Sequence, residues 1–139
     1  MQYTILVVDD DDDDFMLLSS LIKQCHQDVT LHYAQNGLEA TQKLINGLHP
    51  NLILVDVQMP LMDGYELVVW LMDSASWRHI PIVIWTGEIS EREVTRYYRA
   101  GVNSLLLKQT ALEDIDAFCT YWLKLVQLPQ LIWQDNIHE

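Results

Sequence analysis

Basic residues are scarce: Lys and Arg number 8 against 20 Asp and Glu in 139 residues, a formal net charge of −12 with neutral histidine. So acidic a chain lacks the basic face that non-specific binding to nucleic acid or to an anionic membrane requires. Cysteine is nearly absent. Cys25 and Cys119 stand among apolar neighbours in helical patterns and read as a buried, reduced pair, because a chain this long needs no disulfide staple. No apolar run approaches the ~18–20 residues of a membrane span, and Met1-Gln2-Tyr3-Thr4 has neither the basic start nor the apolar stretch of a signal peptide. A soluble, cytoplasmic protein is expected. The 5 glycines form no phosphate-binding loop, dinucleotide fingerprint or nucleophile elbow, which removes the usual nucleotide and hydrolase options. His26, His32, His49, His79 and His138 are scattered without ligand spacing.

What is present is a globular balance, half hydrophobic and one-fifth charged. A single domain over residues 1–127 is expected, with a tail at 128–139 and no separate output domain. Short β-rich runs alternate with amphipathic stretches. Tyr3–Val8, Val29–Ala34, Asn51–Val55, Ile80–Trp85 and Ser104–Leu107 read as strands, Pro81 being tolerated at the start of the fourth. Between them, helical spacing joins Phe15, Leu18, Leu21/Ile22 and Cys25; Leu38, Leu44, Ile45 and Leu48; and Leu67 with Leu71, lasting to about Asp73. Ser90 and Glu93 form a capping-box signature for a helix ending at Gly101. Ile115, Phe118, Cys119, Trp122, Leu123 and Val126 then form one strongly apolar stripe, ended by Pro129. Five strands alternating with five helices predict an α/β fold: a (βα)5 doubly wound, five-stranded parallel sheet covered on both faces.

In such sheets chemistry gathers at the carboxyl ends of the strands. Asp9 and Asp10 follow the first strand, Asp56 the third, Thr86 the fourth and Lys108 the fifth, whereas the second offers nothing comparable. Converging carboxylates repel unless a cation neutralises them, and oxygen-only ligands suit a hard ion such as Mg²⁺. Lys108 and Thr86 then remain as a cation and a hydroxyl donor, the groups a transferred phosphoryl needs. Asp56 is the natural nucleophile, a carboxylate forming an acyl phosphate.

These residues resemble the receiver domain of two-component response regulators, whose fold is flavodoxin-like, over residues 3–126. The resemblance rests on ILVVDD closing the first strand, LILVDVQMPLMDG around Asp56, Thr86 at a strand end, and Lys108 after Leu105-Leu106-Leu107. It implies a phosphoacceptor and not an enzyme acting on a separate substrate. A sensor histidine kinase or phosphotransfer protein supplies the phosphoryl group to Asp56. Asp10, Asp56 and the Gln58 carbonyl hold Mg²⁺, with Asp9 acting through water. Lys108 and Thr86 bind phosphoryl oxygens, and slow self-dephosphorylation is tuned by Gln58 and Glu88. The Asp14 spacing and the tail's Leu128-Pro129 are similar to small regulators paired with phytochrome-type kinases. The family also points to a homodimer through the fourth helix, fifth strand and fifth helix, where Arg92, Arg96 and Arg99 form a basic stripe.

Two positions depart from the family pattern. Gln109 stands where a cis proline usually follows the lysine. A non-proline cis bond costs ~3–4 kcal/mol, so either that strain is carried or the loop is trans and rearranged. Leu105 replaces the usual switch aromatic. Asp11–Asp14 read as helix-capping and solvated acids; with Phe15 following at once, they lack the turn glycine of a calcium loop. A haloacid dehalogenase would need a second Asp where Gln58 stands. The alternative is a receiver-like protein-interaction module that is not phosphorylated.

Overall fold

Five strands, β1 (Tyr3–Val8), β2 (Val29–Ala34), β3 (Leu52–Val55), β4 (Ile82–Thr86) and β5 (Ser104–Leu107), pair in parallel in the order β2-β1-β3-β4-β5. They belong to a computed structural model that describes residues 2–26 and 28–125. Val126 and the expected tail at 128–139 lie outside the described residues. The helices are α1 (Asp12–Cys25), α2 (Gly37–Ile45), α3 (Gly64–Met72), α4 (Glu91–Ala100), α5 (Lys108–Glu113) and α6 (Ile115–Leu125). From β1 the chain first steps outward to β2 and then crosses to β3 on the other side. The cleft opens where those directions diverge.

The continuous apolar runs follow from burial on both faces of the sheet. Ile5, Val7, Leu52, Leu54, Val83 and Trp85 pack with Leu18, Ile22, Phe118 and Trp122 on the side of α1 and α6. Their neighbours Leu6, Val8, Ile53, Val55, Ile82 and Ile84 pack with Ala40, Leu44, Leu67, Leu71 and Tyr97 on the side of α2, α3 and α4. Each such aliphatic side chain contributes roughly 1.5–3 kcal/mol by leaving water, which fixes strand register and so the height at which each strand end delivers its polar residue.

Local signals set the boundaries. Asp11 caps α1 by accepting from the Asp13 and Asp14 N–H groups, and Asp63 and Glu66 close a reciprocal capping box on α3. Ser90 caps α4 through the Glu93 N–H, although the Glu93 carboxylate meets the serine hydroxyl and not its backbone N–H. Gly101 ends α4 at φ 113°, a left-handed conformation that glycine adopts without a Cβ clash.

Several expectations are corrected. β4 begins at Ile82, and α2 ends at Ile45. Leu38 and Ile45 are exposed; Ala40, Thr41 and Leu44 form the inward face of α2. Cys25 is exposed and only Cys119 is buried. A sixth helix, the short polar α5, starts immediately after β5, and its sequence KQTALE has too few apolar residues to show a period.

Candidate functional site

The strand ends bring together the expected residues. Asp9 leaves β1 fully buried, its backbone N–H donating to the Ala34 carbonyl at 3.0 Å. The Asp56 N–H donates to the Val8 carbonyl at 2.9 Å, which moors the end of β3 to β1. The Asp56 Oδ1 accepts from the Val57 N–H at 2.8 Å. Gly64 at the start of α3 lies so close to the Asp56 carbonyl that no Cβ would fit there, so glycine lets the helix close over the loop after Asp56.

Asp9, Asp10 and Asp56 each present one oxygen within 4.8 Å of the other two. Asp10, Asp56, Gln58, Thr86 and Glu88 line an open cleft of about 600 Å³. Asp10 is exposed to it, while Asp9 sits behind. Thr86 is buried at the end of β4, its hydroxyl donating to the Glu88 carbonyl at 3.3 Å.

Lys108 crosses to these carboxylates from the start of α5. Its Nζ lies 2.7 Å from Asp9 Oδ2, 2.8 Å from Asp14 Oδ2 and 3.5 Å from Asp56 Oδ2. The Lys108–Gln109 peptide bond is trans, as are all bonds among the described residues, and the ammonium reaches the acidic cluster nonetheless. It also stands 5.2 Å from the centroid of the Trp85 ring. Burial works against the lysine's charge, but its pairing with Asp14 and Asp9 and the charge of Asp56 outweigh it and hold the ammonium well above its ordinary range. Asp9 is pushed up to about 6, first by burial and further by the charge of Asp56, against the opposing pull of Lys108 and the Asp11 N–H. Its Oδ2 forms an ion pair with Lys108 but has no well-formed hydrogen bond. A carboxylate oxygen in that condition, beside two further carboxylates, fits a hard divalent cation with oxygen ligands.

Two neighbours of this site were not legible as such. Asp14 belongs to the run of acids expected to be solvated, yet it pairs with Lys108. The signal lay in the inward stripe of α1, since stepping back four residues from buried Leu18 leads to Asp14. Tyr33 lies on β2, whose end carries nothing comparable to the other rim residues, yet it braces the rim from the side. Its hydroxyl reaches the Asp9 carbonyl and the Asp12 carboxylate, both at 2.7 Å, and its ring stacks on Phe15 at 4.4 Å.

A doubly wound sheet carrying this rim of aspartates, threonine and lysine defines the receiver domain of response regulators. The family model described as the response regulator receiver domain matches residues 5–119, and the chain belongs to that family. Response regulator Rcp1 from Synechocystis sp. is 31% identical over 135 residues, covering 90% of this chain and 92% of Rcp1. The Mn²⁺-bound crystal structure of Rcp1 superposes with a TM-score of 0.78 at 28% identity, covering 87% of this chain and 94% of that one. The bacteriophytochrome response regulator AtBRR superposes at 0.69 with 29% identity, over 78% of this chain and 83% of its own. The phosphorylated cyanobacterial phytochrome response regulator RcpA, at 22% identity and a TM-score of 0.81 over 88% and 95% of the two chains, shares the fold. Among the described residues no helix is long and apolar enough to cross a membrane.

Proposed function

We propose that Asp56 accepts a phosphoryl group from a histidine kinase or phosphotransfer protein, and that the chain signals through the resulting change of shape. The supporting observation is the Asp56 carboxylate itself, clustered with Asp9 and Asp10, 3.5 Å from the Lys108 ammonium, and lining a cleft that also holds Thr86. In the transfer, the N–P bond of the donor phosphohistidine breaks as an Asp56 carboxylate oxygen bonds to phosphorus. The electron pair returns to the imidazole.

Asp10, Asp56 and the Gln58 carbonyl would hold Mg²⁺ in this reading, with Asp9 acting through water. Bound there, the ion supplies positive charge that offsets the charge on the phosphoryl oxygens. Lys108 pairs with one phosphoryl oxygen, and Thr86 turns its hydroxyl from Glu88 to another. Gln58 and Glu88, both on the cleft, orient the water that slowly hydrolyses the acyl phosphate. The kinship with AtBRR, a bacteriophytochrome response regulator, supports a phytochrome-type kinase as donor, and we take the exchange to occur in the cytoplasm.

Output is assigned to a homodimer formed by α4, β5 and the α5–α6 segment. Tyr98, Leu107 and Tyr121 are exposed large hydrophobics on those elements, and they supply affinity while Arg92 and Arg99 of one copy meet Glu113, Asp114 and Asp116 of the other; the Arg96 guanidinium lies over the Tyr65 ring at 3.6 Å. Arg92→Glu together with Arg99→Glu should then abolish phosphorylation-dependent self-association in sedimentation.

Incubation with acetyl phosphate and Mg²⁺, followed by intact mass, tests the central claim. One added phosphoryl group is expected in the wild type, none in Asp56→Asn and none under chelation. An unmodified wild type would favour the interaction-module alternative.

A further inference from the structure

Lys108 is a long, flexible cation whose value to phosphoryl transfer depends on where its ammonium rests. Three carboxylates surround it, and they are not equivalent. Asp9 is buried and makes an ion pair without the alignment of a hydrogen bond. Asp56, at 3.5 Å, is the group that changes during the reaction. Asp14 lies outside the three-carboxylate cluster, yet its Oδ2 accepts a hydrogen bond from Nζ at 2.8 Å, joining residues 94 apart in sequence. Its side chain is only 31% exposed. It stands on a fixed support: Asp11 caps the first turn of α1, and Leu18 and Ile22 bury the stripe below.

Resting on the phosphoacceptor reading, we propose that Asp14 is a positioning residue for phosphoryl transfer, aiming the Lys108 ammonium at the oxygens of Asp56. Asp9 alone would draw the ammonium inward to the sheet. Asp14 pulls from the solvent side, and between the two the ammonium rests beside Asp56. Because Asp14 is not among the three clustered carboxylates, its effect falls on the phosphoryl step.

The test is a double-mutant cycle on the rate of phosphorylation by acetyl phosphate, at saturating Mg²⁺ so that metal affinity does not enter. Asp14→Ala should slow the reaction about tenfold, as expected when a reacting group loses its orientation, and Asp14→Glu should recover most of the rate. In a Lys108→Ala background the same Asp14→Ala change should have no further effect. A rate that is unchanged or faster in Asp14→Ala overturns the proposal, as does an equal loss with and without Lys108. A wild type that takes up no phosphoryl group overturns the underlying reading instead, so the two failures are distinguishable.

Discussion

The Tyr33 hydroxyl lies 2.7 Å from the backbone carbonyl of Asp9 and 2.7 Å from the carboxylate of Asp12. One proton is thus shared between the loop that delivers the acidic cluster and the first turn of α1. Tyr33→Phe keeps the stack on Phe15 and deletes only this tie. The predicted outcome is a loss of about 0.5–1.5 kcal/mol in stability, the net worth of a typical hydrogen bond, together with a several-fold weaker Mg²⁺ affinity. Calorimetric titration of the metal checks it; an unchanged affinity would show that the loop holds its shape without the hydroxyl.

Asp10 faces the cleft whereas Asp9 is shielded behind it, so their alanine variants should differ. Asp10→Ala is expected to weaken Mg²⁺ binding at least about tenfold more than Asp9→Ala, the scale of one charge-assisted contact at ~1.5–3 kcal/mol. Trp85, in the same strand as Thr86 and beneath Lys108, offers a fluorescence readout. Equal affinities would mean the direct and indirect roles are misassigned.

The raised Asp9 has a pH consequence in metal-free protein. Its folded value is about 6 against an ordinary 3.8. The contribution it makes below pH 3.8 is therefore lost as pH rises through about 6, where the buried carboxyl must ionise. Asp9→Asn should stabilise the metal-free protein at pH 7.5 by roughly 1–3 kcal/mol and have little effect at pH 3.5. Thermal melts at the two pH values decide this, and a stabilisation equal at both would refute the electrostatic origin.

The two cysteines should react very differently. Burial pushes the Cys119 thiol up to about 12, while Cys25 is exposed. A thiol reagent should label one site per native chain and two after denaturation. Two fast native sites would contradict the packing of α6.

Much of this was legible because it depends on local pattern. A strand buried on both faces writes a continuous apolar run, and its next residue marks the rim, so Asp9, Asp10, Asp56, Thr86 and Lys108 could be placed without coordinates. α5 left no such trace, being short and polar. The contacts of Asp14 and Tyr33 depend on elements far apart in sequence, and composition is silent about which acid in a run of six will meet a lysine. Leu38 and Ile45 misled for the opposite reason: apolar residues also occupy surfaces, and only the packing of Ala40 and Leu44 reveals the inward side of α2.

β5 ends at Leu107 and α5 begins at Lys108, with no loop residue between them. Most joints between a strand and a helix have slack that absorbs a displacement. This one has none, like a coupling without play. A pull on the Lys108 backbone must slide the edge strand, tilt the short helix, or do both. Lys108 thus joins the acidic cluster to the outer edge of the sheet through its own backbone, with Leu105 three residues before it in β5.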